Sequence, residues 1–463
     1  MPPISAIALR AAAPAIAAAL LTAALAPATQ ANPPGLSSAA SGAAYSPGEV
    51  VLHDEEGERV ARVRTGESVG DAIRRLRRRP GVRYAVPNYL AHAAGFIPDD
   101  PGPGETPGGW QALQWNFLPG TGVNAPEAWG NLIAAGRPGG KGVTVAVLDT
   151  GVAYANRGRF RRSPDFTAGR FARGYDTVDD DPYPNDPNGH GTLIAGIIGE
   201  ETNNGIALTG LAYAAKIMPV RVLDAAGTGE AEDVAEGIRW AADHGADVIN
   251  LSLVFSSSVR SSGVPEILSA LRRARRKGVV VVGASGNEGQ PLVAYPARTN
   301  SVIATGATTE HGCVAEYSNE GEGLDIVAPG GGADASVDGD PFCRPFEDPG
   351  RNIFQLTFQS SVRSFGYPDD FEGTSMSSPH VAAAAALVIA SGVVGTDPTP
   401  HQVEEQLKAT ARDLSSPGFD LRSGAGMLDI AAATRPGPPE PPPPLAPPPP
   451  QPPAPPRPPA ALR

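Results

Sequence analysis

The fold is decided by the run VTVAVLDTG at residues 143–151. The first six residues of this run are mostly β-branched, and all but Thr144 are apolar, which is typical of a strand buried on both faces. Two further runs repeat this signature, and two helical stretches alternate with them: residues 247–251, 279–282, 231–244 and 265–277. Strands that alternate with helices predict an α/β fold, in which helices on both faces of a parallel sheet form three layers.

Polar residues follow two of the predicted strands directly. Asp149 comes after the first, and Ser252 comes after the run at 247–251. Because active residues of parallel sheets gather beyond the carboxyl ends of the strands, we expect these two residues to lie at a functional site.

Three short motifs place an acid, a base and a hydroxyl group in one order along the chain. Asp149 begins Asp-Thr-Gly, His190 lies in Asn-Gly-His-Gly-Thr, and Ser375 lies in Gly-Thr-Ser-Met-Ser-Ser-Pro-His before a predicted helix. A serine hydroxyl attacks carbonyl groups poorly until an imidazole removes its proton, and a carboxylate holds that imidazole in the required tautomer. Together the motifs predict a serine hydrolase that cleaves peptide bonds.

The order and the flanking residues of these motifs resemble the subtilisin-like serine proteases, or subtilases, whose acid-base-nucleophile order is the same. The resemblance implies that Ser375 is the nucleophile, His190 the general base and Asp149 its orienting acid. It also implies that the side chain of Asn287 and the backbone amide of Ser375 stabilise the oxyanion. It implies the family's three-layer parallel-sheet fold as well.

The resemblance further implies a substrate-binding cleft. Ser252-Leu253-Val254 and Ala284-Ser285-Gly286 resemble the two backbone edges that flank the primary specificity pocket and pair with the substrate as an added strand. Ala294 stands where the family has the pocket floor, and a small, uncharged floor favours an apolar or aromatic residue before the cut. Val254 departs from the family's usual glycine and is expected to narrow the pocket.

Members of this family commonly bind calcium, although the chemistry itself requires no cofactor. Asp165 and Asn204 resemble ligands of one such site, where Ala207 replaces an expected glycine. A second, weaker candidate is an acidic run that consists of Asp179, Asp180, Asp181 and Asp186. Most exposed acidic side chains bind only water, so both sites remain open at this point.

The composition changes along the chain and predicts six segments. Arg10 and a following Ala/Leu-rich run indicate a signal peptide, which small residues end near Ala31. Residues 48–94 read as strand 49–52, charged turns, a helix and strand 82–86, similar to the inhibitory pro-segment of subtilases, a small α+β (ferredoxin-like) module. We expect self-cleavage near Ala94. The predicted segments are signal peptide 1–31, lead-in 32–47, pro-segment 48–94, exposed linker 95–109, peptidase domain 110–434 and disordered proline-rich tail 435–463.

Composition and charge limit the partners and the compartment. The signal peptide predicts a secreted or extracytoplasmic protein with no stable membrane insertion after its removal. The net charge of −12 opposes nucleic-acid binding, so the expected partners are protein or peptide substrates and the pro-segment as an intramolecular inhibitor. The two cysteines, Cys313 and Cys343, form either a single disulfide or two unpaired thiols. Cys343 lies in a span, residues 331–372, that is longer than in compact family members and reads as a surface insertion.

Two other functions compete with a secreted endopeptidase that matures itself. The same fold is able to serve as a catalytically silent binding or scaffold protein, but the intact set of acid, base, nucleophile and oxyanion donor argues against this alternative. An esterase with the same triad is the third candidate, and the strand-like substrate edges favour peptides over simple esters.

Overall fold

The computed structural model describes most of the chain and divides it into two compact units, within residues 1–92 and 93–463. The predicted signal peptide, the cleavage site near Ala94 and the proline-rich tail beyond Gly437 lie outside the described residues. The described residues are 45–55, 57–64, 67–89, 96–338, 340–414 and 417–437.

The first unit is a small α+β module. Its described part contains the strands β1 (Tyr45–Asp54), β2 (Gly57–Arg62) and β3 (Tyr84–Tyr89) and the helix α1 (Val69–Arg77). The strands form an antiparallel sheet in the order β2-β1-β3, and apolar side chains of β1, β3 and α1 form the core. The prediction of charged turns was wrong for residues 57–62, which form β2. The side chains of β2 are largely exposed, so it has no buried apolar face that its sequence could display, and its pairing with β1 makes it a strand.

The second unit contains the predicted three-layer core. Its elements are α2 (Ala125–Ala134), β4 (Thr144–Asp149), β5 (Tyr175–Asp176), α3 (His190–Gly199), β6 (Lys216–Arg221), α4 (Ala231–Asp243), β7 (Val248–Leu251), α5 (Pro265–Arg276), β8 (Val280–Ala284), β9 (Ile303–Thr308), β10 (Ile326–Pro329), β11 (Thr357–Ser361), β12 (Ser364–Gly366), α6 (Thr374–Ser391), α7 (Pro400–Ala409) and α8 (Ile430–Thr434). The three strands predicted from apolar runs are β4, β7 and β8.

Seven strands of the described residues form one sheet, in the order β10-β9-β8-β7-β4-β6-β5, and every pair in it is parallel. The strand β4 lies between β6 and β7. The chain crosses from β4 to the edge strand β5, returns to β6, and then extends the sheet on the other side of β4 from β7 to β10. A crevice opens at such a reversal, beyond the carboxyl ends of the strands. Asp149 ends β4 and Ser252 follows β7, which places both at this crevice.

The helix α6 lies in the centre of the core and not on the surface. Its run from Ala382 to Ala386 is completely buried, and the helix packs against β7, β8 and β9. Small side chains allow this close approach to the sheet, because they keep the helix axis near the strands. The amino end of α6, which carries Ser375, is therefore held by the packing of the whole domain.

Residues 96–109 are exposed in part, above all at 103–107, as their Gly, Pro and Asp content predicted, but several contacts also hold the segment in place. The amide of Phe96 donates to the carbonyl of Pro126, and the amide of Gly102 donates to the carbonyl of Ala207. The indole of Trp110 donates to the carbonyl of Pro98, and Asp100 is completely buried. Composition alone predicts an extended segment, whereas these specific hydrogen bonds hold it against the rest of the second unit.

Among the described residues, the helices are too short or too polar to cross a lipid bilayer.

Candidate active site

Each residue of the predicted triad lies at the end of a regular element. Asp149 is the last residue of β4, His190 is the first residue of α3, and Ser375 is the second residue of α6. The residue before each helix is a glycine in a left-handed conformation, with φ of 117° at Gly189 and 136° at Gly373. These conformations disfavour other residues and turn the chain sharply into each helix.

Asp149 and His190 are in direct contact. Nδ1 of His190 and Oδ1 of Asp149 are 2.7 Å apart, and the amide of Thr150 donates to the same oxygen at 2.7 Å. Because an ionised carboxylate only accepts hydrogen bonds, Nδ1 carries the proton, which leaves Nε2 of the neutral ring as an acceptor. Gly191 is required beside this pair, since a Cβ there would lie 2.1 Å from the carbonyl oxygen of Gly151.

The surroundings of His190 change its basicity. Burial lowers the pKa of His190, but the negative charge of Asp149, its hydrogen bond and the charge of Asp186 raise the pKa more strongly. The net effect is a pKa above the usual value of 6.5. Asp149 is fully buried, whereas about a quarter (24%) of the His190 side chain is exposed, so the imidazole is accessible from the cleft.

The hydroxyl of Ser375 is oriented by the segment after β7. It donates to the carbonyl of Ser252 at 3.2 Å, and the hydroxyl of Ser252 donates back to the carbonyl of Ser375 at 2.7 Å. Within the described part of the chain, Ser375 forms no hydrogen bond with His190. Such bonds are often long in ligand-free sites and tighten when substrate binds. The hydroxyl is only partly buried, so it faces the cleft and not the dry interior.

Two residues that no sequence motif indicated support this contact. Nδ2 of Asn250 donates to the hydroxyl of Ser252 at 2.9 Å, and the hydroxyl of Ser378 donates to Oδ1 of Asn250 at 2.8 Å. These bonds tie the first turn of α6 to the end of β7. A buried polar side chain at the end of an apolar strand, such as Asn250, was the signal available in the sequence.

Asn287 is oriented by Thr374, a second residue that the sequence analysis did not select. Oδ1 of Asn287 accepts from both the amide and the hydroxyl of Thr374, each at 2.8 Å. The hydroxyl of Thr374 also accepts from the amide of Gly286 at 3.2 Å. Because Oδ1 is held by donors, the Nδ2 group of Asn287 points away from Thr374. Within the described residues this group has no hydrogen-bond acceptor, and it lies beside Gly373, two residues before Ser375.

Asp186 has a different role from the one predicted. Its carboxylate is completely buried and accepts five hydrogen bonds: from the Thr150 hydroxyl, the amides of Asn188 and Gly189, and the amide and hydroxyl of Thr192. Burial raises the pKa of Asp186, against the lowering effect of these bonds. Asp186 therefore holds the loop that presents His190 and leaves no oxygen facing a metal.

The predicted second calcium site is not assembled. Asp179 pairs with Arg221, Asp180 accepts from the hydroxyl of Tyr175, and Asp181 accepts from the amide of Tyr183. Asp186 serves the loop before His190. The sequence run does not converge because each carboxylate already has a nearby donor of its own.

The first calcium candidate contains buried acids that lack partners. Oδ1 of Asp165 accepts from Nδ2 of Asn204 at 2.6 Å, while Oδ2 is buried with no partner within the described ranges. Both carboxylate oxygens of Glu200 are likewise buried without partners there, and Asp100 accepts from the amides of Asn203 and Asn204. Burial, together with the charge of Asp100, raises the pKa of Asp165 to about 8. Unpaired buried carboxylates of this kind require a cation or a proton, so the donors fit calcium.

Another group of three possible metal ligands lies on α7. The ligand atoms of His401, Glu404 and Glu405 lie within 4.8 Å of one another. This group is largely exposed, and Lys408 forms ion pairs with both glutamates. These ion pairs with Lys408 neutralise the negative charge of the glutamates that would otherwise attract a cation.

The two predicted substrate edges differ in their backbone. Within the described chain, the amides and carbonyls of Leu253 and Val254 have no hydrogen-bond partner, so they are open to an added strand. The backbone of Ser285 and Gly286 is already bonded to Thr305, Ala294, Asn319 and Thr374. The second segment therefore has little free backbone to pair with a substrate. Ala294 is completely buried, and Val254 is half-buried on the open edge.

The two cysteines form a disulfide. The Cα atoms of Cys313 and Cys343 are 4.8 Å apart, and their sulfur atoms are bonded. The bond joins the connection between β9 and β10 to the segment at 331–372, which also contains the hairpin β11–β12. Asp334 reinforces the same junction, since it accepts from His311 at 2.9 Å and from the amide of Arg344 at 2.7 Å.

Comparisons with known proteins agree with this geometry. A model of the Subtilase family matches residues 140–426. The chain is 32% identical to the thermophilic serine proteinase of Bacillus sp. (strain AK1) over 77% of this chain and 74% of that protein. It is 36% identical to Subtilisin Savinase of Lederbergia lenta over 70% of this chain and all of that protein. A solved protease structure from Pseudoalteromonas arctica PAMC 21717 covers 73% of this chain and 99% of its own, with 31% identity and a TM-score of 0.58.

Proposed function

Because the chain belongs to the subtilase family and is a subtilisin-like serine endopeptidase, we propose that Ser375, His190 and Asp149 form its catalytic triad. The observation that carries this proposal is the 2.7 Å contact between His190 and the buried Asp149, at the crevice where Ser375 begins α6. We also propose that the enzyme is exported as a zymogen and matures itself.

The proposed reaction begins when the neutral imidazole of His190 accepts the proton of the Ser375 hydroxyl through Nε2. The Ser375 oxygen then attacks the scissile carbonyl, and Asp149 stabilises the imidazolium that forms. His190 returns the proton to the leaving amine, and water later hydrolyses the acyl-enzyme by the same steps.

Two donors would stabilise the tetrahedral oxyanion. The backbone amide of Ser375 lies in the first turn of α6, where amides lack intrahelical acceptors. Nδ2 of Asn287 lies beside this turn, because Thr374 holds its Oδ1 on the opposite side. Preorganised donors of this kind contribute about 3–4 kcal/mol to transition-state stabilisation.

The substrate would be an extended polypeptide. The free backbone of Leu253 and Val254 supports strand addition, and this feature favours peptides over small esters. Ala294 provides no charge at the proposed pocket floor, which supports an apolar residue before the cut. The half-buried Val254 would restrict the size of that residue.

The zymogen proposal rests on the first unit and on the amino-terminal sequence. The unit folds around a core of its own, and it precedes the catalytic unit as a cleavable inhibitor would. The apolar run with small residues near Ala31 supports export. The disulfide between Cys313 and Cys343 suits an oxidising compartment.

Calcium would bind at the acidic cluster around Asp165. Asp165 and Asn204 are the proposed ligands, and Asp100 and Glu200 add negative charge beside them. The ion would neutralise buried carboxylates and hold the loop at residues 202–209 against residues 96–109. It would take no part in the reaction. Calorimetric titration of the chelated protein with Ca²⁺ tests this site, and an unchanged affinity in Asp165→Asn would contradict it.

Active-site labelling tests the central proposal. The matured protein should react with a fluorophosphonate, and Ser375→Ala should neither react nor release the first unit. Ser377→Ala is the matched control, because it makes the same change two residues further along α6, where the hydroxyl is buried and has no partner in the described structure. A folded, matured wild-type protein that remained unlabelled would contradict the triad and favour a silent binding protein.

A further inference from the structure

An exposed cluster of arginines lies at the far end of the hairpin β11–β12, whose first strand contacts the residue before His190. We define the arginine patch as Arg157, Arg159, Arg161 and Arg363, all of which are exposed. None of them forms an ion pair with an acid among the described residues. In a chain with a net charge of −12, four positive charges without acidic partners at one place are unexpected.

Contacts within the patch hold its guanidinium groups in place. The guanidinium of Arg157 lies 3.6 Å above the ring of Tyr183, and that of Arg159 lies 5.0 Å from the ring of Phe160. Nε of Arg363 donates to the carbonyl of Arg159 at 2.8 Å. Stacked guanidinium groups retain edge N–H donors that suit carboxylates. The patch is therefore ordered enough to bind anions without a large loss of side-chain entropy.

The hairpin β11–β12 connects the patch to the general base. The hydroxyl of Thr357 donates to the carbonyl of Gly189, the residue before His190, and Phe358 packs against Gly189. At the other end of the hairpin, the carbonyl of Val362 accepts from the amide of Arg161. Phe358 and Arg363 are five positions apart, and the strand part of this span, from Phe358 to Ser361, is about 10 Å long at ~3.3 Å per residue.

The direction in which the substrate lies in the cleft determines on which side of the scissile bond it would contact the arginine patch. The acyl segment of a substrate would follow the open backbone at Leu253 and Val254, beyond Ser252. The leaving amine takes its proton from His190, so the leaving segment emerges beside the imidazole, where the hairpin lies. An extended chain would reach the patch within about three to six residues of the cut.

We propose that the arginine patch selects substrates that carry acidic residues on the leaving-group side, about three to six residues after the cleaved bond. This inference rests on the proposed peptidase function. The overall negative charge of the chain disfavours nucleic acid as the anionic partner.

Paired peptides test the proposal with the matured wild-type enzyme. One peptide carries Glu at positions three to six after the cut, and the other carries Gln at the same positions. We expect kcat/KM to be about tenfold higher for the Glu peptide, as two or three exposed ion pairs of a few-fold each would produce. In 1 M salt, where the Debye length is about 3 Å, the ratio should fall to about twofold.

Variants assign the preference to the patch. Arg159→Gln with Arg363→Gln should reduce the ratio to about twofold, whereas Lys at both positions should retain most of it, because a surface charge and not its shape is expected to dominate. Arg272→Gln with Arg276→Gln is the matched control, since these exposed arginines of α5 also lack acidic partners in the described structure, and it should keep the wild-type ratio.

Three results would overturn the inference. They are equal kcat/KM for the two peptides, a preference that survives in the double Gln variant, and tighter inhibition by a short single-stranded oligonucleotide than by the Glu peptide. Cleavage of neither peptide would refute the proposed function instead. The patch would then be judged by fluorescence anisotropy of the labelled peptides on the same protein, where equal affinities refute it and about tenfold tighter binding of the Glu peptide supports it.

Discussion

The buried carboxylate of Asp186 provides the sharpest test of how the loop before His190 is held. In Asp186→Asn, one carboxylate oxygen is replaced by an amide group that donates. If the remaining oxygen keeps its bonds to Thr150, Asn188 and Gly189, the amide of Thr192 loses its acceptor. A buried amide without an acceptor lowers the free energy of unfolding by about 1–3 kcal/mol. The other hydrogen bonds weaken when the charge is lost, but the folded protein no longer bears the cost of burying that charge, which offsets part of this loss. We expect a net loss of about 2 kcal/mol in the free energy of unfolding.

The same substitution should change the pH dependence of catalysis. The charge of Asp186 helps to raise the pKa of His190, and only the neutral imidazole accepts the proton of Ser375. Without this charge the pKa of His190 falls. The acid limb of the profile of kcat/KM against pH should therefore move to lower pH, while kcat/KM on the plateau falls about tenfold because the imidazole is less well positioned.

Urea unfolding and a profile of kcat/KM from pH 4 to pH 10 measure the two effects. Asp420→Asn is the matched control, because Asp420 accepts in the same way from two amides and a hydroxyl, of Arg422 and Ser423, in a turn of the carboxyl-terminal region. It should leave the acid limb in place. An Asp186→Asn enzyme with wild-type stability and an unmoved acid limb would refute the assigned role.

Three further predictions follow from single contacts. Thr374→Val removes the hydroxyl that holds Asn287, so kcat should fall about tenfold with little change in KM, and an unchanged kcat would contradict the orientation of Asn287. Ala207 has a φ of 52°, so Ala207→Gly should raise the free energy of unfolding by about 1 kcal/mol in a denaturant titration; a lower midpoint would argue against strain. Replacement of Cys313 and Cys343 by Ser opens a loop with a sequence separation of 30 residues and should lower the free energy of unfolding by about 3.5 kcal/mol, whereas an unchanged midpoint would contradict this.

Local sequence patterns predicted the strands whose residues are nearly all buried and the helices with one apolar face. The strands β4, β7 and β8 are buried on both faces, so their apolar runs were readable, and α4 and α5 end within one residue of the predicted bounds. The strand β2, whose side chains are mostly exposed, and the partly buried segment 96–109 were not predicted from their local patterns. Their conformation depends on hydrogen bonds to partners elsewhere in the chain, such as Asp100 with the loop at residues 202–209.

The motifs selected the reacting side chains but not the residues that orient them. Glycines beside His190 and Ser375, and the order of the three motifs, are local features that a single sequence displays. Each of three orienting residues has a distant partner. Thr374 contacts Asn287, 87 residues away, Asn250 contacts Ser378, 128 residues away, and Asp186 contacts Thr150, 36 residues away. The pattern of such residues is no different from that of ordinary turn or helix residues.

Local patterns in the amino-acid sequence were enough to indicate which strands are buried, where the hydrolytic groups lie along the chain, and that an amino-terminal module precedes the catalytic unit. The folded arrangement was needed to show that Asp186 serves His190 and not a metal, that the backbone of Leu253 and Val254 is open while that of Ser285 and Gly286 is occupied, and that the hairpin β11–β12 joins the arginine patch to the residue before His190. The reason is physical. Burial and periodicity are properties of a segment, whereas a hydrogen bond or a charged surface depends on groups that only the folded chain brings together.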